Sequence, residues 1–413
     1  MQEENDSHYL KSVTTLGDTH RIVTSQDIYS KTGIKLAGKG SSINSSIYDR
    51  LVKHKLIPAL DQCMTVENAV TAEEILARTK QVLEGESHFS RIEELADMDR
   101  IWSAISKVKL NDALAFKLTV AREKRPELLE HSLRILLLAL YLGVRLDLLE
   151  SHLVALATAS LFHDLGELHI DPEILVKTHA FTEEERRHIY AHPMTAFMIL
   201  KEFQEYHPLV STAVLEHHEN LDGSGYPAGL SGEKITPLAQ ILSIAEVTGG
   251  ILDRYRLEIV LKLNKHKLNT DLIGYLAELF RSKYGTIRSD LSIGEINEHL
   301  AHMARAFENW DDIYGRQKNQ DIPILRFTNL RISELRQSLF DAGFNPSEMS
   351  RLTLGIEDDP DEIQDVQSLI NESRWQITSL AKELNRLWPG FEKGEEASIV
   401  KDWISNCIEC MEN

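Results

Sequence analysis

From about Ala72 nearly to the C-terminus, apolar residues recur with the 3.6-residue period of a helix. A chain of 413 residues patterned in that way has to build its core by packing helix on helix. The segments Ala72–Leu83 and Ile101–Leu118 are amphipathic. Pro126 suits the first turn of a helix that carries Glu127, His131, Arg134 and the apolar run Ile135–Leu142, with Gly143 as its expected stop. Asp147 is placed to cap the next helix, whose apolar positions Leu149, Leu153, Leu156, Ala159 and Phe162 lead to His163-Asp164, where Gly166 breaks it.

Further punctuation follows. Thr182 and Glu185 have the spacing of a capping box. His192 precedes Pro193 and so sits at a break, because proline disfavours helical geometry in the residue before it. Pro208 opens a helix that ends in His217-His218, and Ile235–Ile251 reads as another, containing Glu246. His163, Asp164, His192, His217 and His218 therefore all lie at helix ends, while Glu127, His131 and Glu246 lie within helices.

The first 70 residues read differently. Residues 1 to about 20 are polar and expected to be loosely ordered. Ile22-Val23-Thr24 is β-prone, Gly33 to Gly40 alternates like a strand pair cut by glycines, and Ser45–Leu56 looks helical. The expected organisation is a small N-terminal α/β module over 1–70, a helical connector over 71–119, a helical domain over 120–260 and a C-terminal helical domain over 261–413. Trp310, Trp375, Trp388 and Trp403 are expected to anchor that last domain. Cys407 and Cys410 form a CxxC just after Trp403-Ile404, where a last helix is expected to end; without a second CxxC it reads as a helical face or frayed tail rather than a metal or redox site. The acidic run Glu357-Asp358-Asp359-Pro360-Asp361-Glu362 reads as a solvated loop.

Composition removes several classes of function. A formal net charge of −19 argues against a polymeric nucleic acid or an anionic membrane surface as partner. A small anionic ligand stays open, because bound metal inverts the local field. Three cysteines are too few for a disulfide framework. The acidic, polar start Met1-Gln2-Glu3-Glu4 is not a secretory signal, and the most apolar run, Ile135–Val144, is about half the length a bilayer requires. The expectation is a cytoplasmic protein without membrane insertion.

The densest chemistry lies in His217-His218-Glu219-Asn220-Leu221-Asp222-Gly223-Ser224-Gly225-Tyr226-Pro227. Adjacent histidines at a helix end point about 100° apart, so they can serve two ions of one cluster, or one ion and a substrate. Gly223, Gly225, Gly229 and Pro227 make a loop of special backbone geometry. Imidazoles suit transition metals, and carboxylates bridge and harden a site. Glu127 and His131, four apart, share a helix face. Asp164 is short enough to bridge two metals from a helix end. With His163, His192, His217, His218 and Glu246, such a set could hold two or three ions. Two ions about 3.5–4 Å apart clamp a phosphate, generate hydroxide and stabilise a leaving oxygen, which makes a phosphodiester the natural substrate.

His163-Asp164-Leu165-Gly166, Arg187 to Pro193, and His217 to Leu230 with its Gly225-Tyr226-Pro227 together resemble the HD-GYP family, bacterial phosphodiesterases acting on cyclic di-GMP. The resemblance spans roughly residues 120 to 256. It implies a mainly α protein with an all-helical HD-GYP domain, holding two or three divalent transition-metal ions, iron or manganese. The implied ligands are Glu127, His131, His163, Asp164, His192, His217, His218 and Glu246, with Asp164 and His163 as catalytic residues. The implied substrate contacts are Tyr226, Arg254, Arg256 and the position of Glu167. The implied ligand is cyclic di-GMP, hydrolysed to the linear dinucleotide or to GMP; a protein partner or a second copy is left open. This chain departs from the family pattern where Glu167 replaces a lysine, where Glu246 replaces an aspartate, and at Gly249-Gly250-Ile251. The alternative they raise is a catalytically weakened member that acts as a cyclic-dinucleotide sensor or protein-interaction module.

Overall fold

The structure is a computed structural model, and it describes residues 2–86, 89–175, 181–251, 257–280, 292–317, 322–345, 360–388 and 395–412. It is mostly helical, with short strands confined to the N-terminal region. It divides into two units, Met1–Gly249 and Gly250–Asn413.

In the first unit the chain begins not loosely but with helix α1 (Gln2–Leu16). Tyr9, Leu10, Val13 and Leu16 fall on one helical face and are buried; the polar residues between them hide that spacing. Five short strands follow: β1 (Ile22–Thr24), β2 (Ile28–Ser30), β3 (Lys35–Ala37), β4 (Leu56–Ile57) and β5 (Met64–Val66). β1 pairs antiparallel with β5, with Ile22 opposite Val66, and β2 lies between β3 and β4. Gly33, in the left-handed region at φ 84°, turns β2 into β3. The helix expected over Ser45–Leu56 is only a 3-10 turn at Ser45–Ile47 and the single turn α2 (Tyr48–Leu51); Leu56 already belongs to β4.

The helices that carry the site come next. They are α3 (Ala72–Gly85), α4 (Ile92–Leu95), α5 (Met98–Ser106), α6 (Asp112–Lys124), α7 (Pro126–Arg145), α8 (Glu150–Phe162), α9 (Pro172–Leu175), α10 (Glu183–Tyr190), α11 (His192–Leu200), α12 (Pro208–Glu216) and α13 (Pro237–Ile251). Thr71, Asp97 and Asn111 cap α3, α5 and α6 by accepting backbone N–H bonds. The capping box at Thr182 and Glu185 is present in full.

α7 and α8 form the centre. Ile135 to Leu142 are buried on every side of α7, so over that stretch no face is left for solvent. Each fully buried Leu or Ile contributes about 1.5–3 kcal/mol relative to exposure, which makes this pair the rigid platform of the unit. Gly143 does not stop α7, which runs on to Arg145. A Cβ on Gly143 would meet Leu153 Cδ2 at 2.9 Å and Leu156 Cδ2 at 3.0 Å, so the glycine lets α8 approach closely. Asp147 is not the cap of α8 either. It takes φ 52° in the tight connection and pairs with Arg100 at 2.8 Å, and Leu149 occupies the cap position.

The second unit consists of α14 (Leu257–Leu263), α15 (Thr270–Phe280), α16 (Ile293–Gln317), α17 (Pro323–Asp341), α18 (Pro360–Leu387) and α19 (Glu395–Glu412). Trp310 and Trp403 meet in its core with ring centroids 5.1 Å apart. Trp388 packs at the edge of that core, but Trp375 is 52% exposed and lies under the Lys267 ammonium. Cys407 is buried in the core, while the side chain of Cys410 and the run Glu357-Asp358-Asp359 lie outside the described residues. Among the described residues no helix is long and apolar enough to cross a membrane.

Candidate metal centre

Three helix ends and the side of a fourth helix in the first unit deliver imidazoles to one point. His163 ends α8, His192 opens α11, His217 and His218 follow α12, and His131 projects from α7. A carboxylate from the turn after α8, Asp164, and one from α13, Glu246, complete the set. The ligand atoms form two groups, Asp164 with His192, His217 and His218, and Asp164 with His131, His163 and Glu246; within each, all atoms lie within 4.8 Å of one another.

Asp164 belongs to both groups, and its two oxygens divide the work. Oδ1 lies 3.2 Å from His192 Nε2 and 3.5 Å from His217 Nε2. Oδ2 lies 3.2 Å from His163 Nε2 and 3.6 Å from His131 Nε2. Glu246 Oε2 reaches His131 Nε2 at 2.9 Å and His163 Nε2 at 3.2 Å.

The imidazoles are oriented by one repeated device. His163 Nδ1 meets the carbonyl of Ser160 at 2.8 Å, His192 Nδ1 that of Ile189 at 2.7 Å, and His217 Nδ1 that of Val214 at 2.6 Å. In each case the ring turns back to the carbonyl three residues earlier. A carbonyl only accepts, so Nδ1 carries the proton and Nε2 presents its lone pair to the cluster, the tautomer in which a histidine ligates metal.

The electrostatics ask for cations. Burial pushes His163 down, but the Asp164 charge and bonds to Asp164 and Glu246 outweigh it and hold the ring well above its ordinary value. Asp164 and Glu246 are held well below the usual carboxylate range, against the effect of burial, by the histidines around them. His217 and His218 are driven down by burial and by neighbouring imidazoles, which keeps them in the neutral form a metal needs. The donor set is therefore mixed nitrogen and oxygen, largely buried, pre-oriented and short of positive charge, and it fits divalent metal.

Glycines bring the backbones together. A Cβ on Gly166 would lie 2.1 Å from the His192 carbonyl oxygen, so only glycine lets the turn after Asp164 pack on the start of α11. A Cβ on Gly225 would lie 2.3 Å from Asn220 N. The loop beyond is closed by the buried carboxylate of Glu219, which accepts N–H bonds from Ala228 at 2.7 Å, Gly229 at 3.1 Å and Leu230 at 2.9 Å. Tyr226 N donates to the His218 carbonyl at 3.0 Å. The Tyr226 ring is stacked between His218, at 4.6 Å, and Tyr190, at 4.3 Å.

Residues 118–248, which span this cluster, match the family model described as the HD domain. The chain is 31% identical over 121 residues to a cyclic di-GMP phosphodiesterase of Pseudomonas aeruginosa, covering 29% of each chain. It is 35% identical over 109 residues to a cyclic di-GMP phosphodiesterase response regulator of Xanthomonas campestris, covering 26% of this chain and 29% of that one. It is 26% identical over 204 residues to a 3′3′-cGAMP-specific phosphodiesterase of Vibrio cholerae, covering 48% and 44%. The chain carries an HD-GYP-like domain of the HD superfamily. It spans less than half the length of each of these relatives.

Not every residue expected at the site of this HD-GYP-like domain reaches it. Glu127 shares a helix face with His131 but lies in neither ligand group; its carboxylate is held by Arg125 Nε at 2.5 Å. Glu167 lies beside the cluster, bound to Arg125 Nη2 at 3.3 Å. Burial first, and the Asp164 charge second, push its carboxyl up to about 7. Arg254 and Arg256 lie outside the described residues. Sequence reasoning missed Arg125, Tyr190 and Glu219. Glu219 carried a signal, an acid directly after a histidine pair and at the mouth of a loop rich in backbone donors.

Proposed function

We propose that this chain is a metal-dependent phosphodiesterase that hydrolyses cyclic di-GMP to pGpG, to GMP or to both. Asp164 carries the reading, as one buried carboxylate whose two oxygens serve two separate imidazole groups. Two divalent ions held there, manganese or iron, would polarise a phosphodiester and supply a nucleophilic oxygen at neutral pH. His192, His217 and His218 would hold one ion with Asp164, and His131, His163 and Glu246 the other.

The remaining residues would orient and exclude. Tyr226 has both ring faces stacked, so it meets substrate with its edge and hydroxyl. Burial holds that hydroxyl well above its ordinary value, so it keeps its proton at neutral pH and can donate to a phosphate oxygen. Glu219 holds the loop that sets the ring in place. The names of the related phosphodiesterases support a cyclic dinucleotide as the substrate class.

The deciding experiment is turnover of cyclic di-GMP and of 3′3′-cGAMP by protein loaded anaerobically with manganese or iron, with linear products resolved by chromatography. Hydrolysis of cyclic di-GMP is expected. Tight binding without turnover would replace the enzyme by a cyclic-dinucleotide sensor, and neither binding nor turnover would remove this substrate class.

A further inference from the structure

The Arg125 guanidinium sits beside the cluster with a carboxylate at two of its donors, Glu127 at Nε and Glu167 at Nη2. The Glu127 side chain is 64% exposed, so that carboxylate stands at the open edge of the site, whereas the pairing with Glu167 is sheltered. The Arg125 side chain is 14% exposed and that of Glu167 is 19% exposed. Glu167 also feels Asp164, His192 and His131 directly, so the guanidinium is held against the border of the ligand set. Glu127 precedes His131 by four residues on α7 and therefore faces the same side. Two acidic side chains are thus gathered next to a ligand histidine, and the positive charge between them belongs to the protein.

We propose that Arg125 is a resident cation: it holds Glu127 and Glu167 in the place a further divalent ion would take, and so limits the site to the two ion positions about Asp164. The proposal rests on the reading of the cluster as a metal centre. A planar guanidinium binds two carboxylates at once and cannot lose its charge at any accessible pH, so it competes with a metal ion for the same oxygens without being removed by titration. Freed of Arg125, Glu127 and Glu167 are two hard oxygen donors beside an imidazole, a combination suited to manganese.

The test compares metal stoichiometry in the parent protein and in Arg125→Met, which keeps an apolar stem for packing and removes the guanidinium. Both are stripped with chelator, titrated with Mn²⁺ by calorimetry and checked by elemental analysis, with circular dichroism confirming the fold. Arg125→Met is expected to bind one equivalent of Mn²⁺ more than the parent, and adding Glu127→Ala in that background is expected to abolish the gain. Equal or lower uptake by a folded Arg125→Met overturns the proposal, as does a gain that survives Glu127→Ala. Should Arg125→Met not fold, Arg125→Gln is read in the same way. If the parent takes up no metal at all, the metal-centre reading fails and the proposal with it; a parent that loads metal beside a variant that gains none overturns the proposal alone.

Discussion

His192 Nε2 and His217 Nε2 face each other at 3.2 Å, while Nδ1 of each ring is bonded to a backbone carbonyl. With both Nδ1 protons placed, two lone pairs point at one another and no hydrogen bond can join them unless one ring takes up a second proton. Burial opposes that charge on both rings; at His217 it prevails, while at His192 the bond to Asp164 and its charge outweigh it and raise the ring. A shared cation would take the place of a proton on His192 between the two rings, and the Asp164 carboxylate beside both favours either.

Metal content follows from that geometry. Reconstituted protein should carry one transition-metal ion for each of the two ligand groups about Asp164. Ligand at about 100 times its Kd adds roughly 2.7 kcal/mol to the folded state, so chelation should lower the melting temperature measurably. Elemental analysis that finds no bound metal, with the same melting curve before and after chelation, would count against the cluster as a metal centre.

Asp164→Ala should strip both groups together. It removes the oxygens that join them and leaves the imidazoles. Loss of an outer-sphere partner already costs metal sites about 10–100-fold, so turnover should fall by at least about a hundredfold and stoichiometry should fall with it. Helical content by circular dichroism should hold, because α8 and α11 keep their packing. Normal turnover in this variant would show that Asp164 is not the bridge.

Glu219→Ala should separate the loop from the metals. Three backbone N–H groups lose a buried charged acceptor, a loss of at least about 2 kcal/mol if water does not replace it. Metal content should stay at the parent value, since no cluster ligand is touched. KM for the dinucleotide should rise by about tenfold or more as Tyr226 loses its fixed place. An unchanged KM in a destabilised variant would confine Glu219 to a structural part.

A pH dependence is expected from the second unit. Glu372 is buried, and burial raises its pKa even though Gln376 and Asn264 donate to its Oε1 at 3.0 and 2.5 Å. The folded state therefore holds this proton more tightly than the unfolded chain. Its contribution is fully present below the ordinary glutamate value and is lost as pH rises through the folded value. Glu372→Gln keeps an acceptor oxygen and cannot ionise, so its melting temperature relative to the parent should climb across that interval and then level off. A difference that does not change with pH would mean that Glu372 titrates in the folded protein as it does in the unfolded chain.

Much of the site was legible in the order of residues. Prolines and a capping box mark where helices begin, and those signals are local, so Thr182, Pro208 and the ends bearing His163 and His217 could be placed without a structure. Adjacent His-Asp and His-His pairs have few uses other than polar chemistry when they fall at such ends. The face of α1 was misread because four apolar residues in a polar stretch carry too weak a period. Gly143 was misread because a glycine near a helix end can equally serve close packing, and only the position of Leu153 distinguishes the two.

Helical period and helix-end chemistry along the chain thus determined by themselves a mainly helical protein with a histidine and carboxylate cluster. Which carboxylates enter that cluster was decided only in three dimensions. Glu127 and Glu246 look equally eligible as ligands along the chain, yet Glu246 reaches two histidines from α13 while Glu127 is drawn off by Arg125. A side chain goes to the strongest opposite charge within its reach, and that reach is set by the packing of elements distant in sequence.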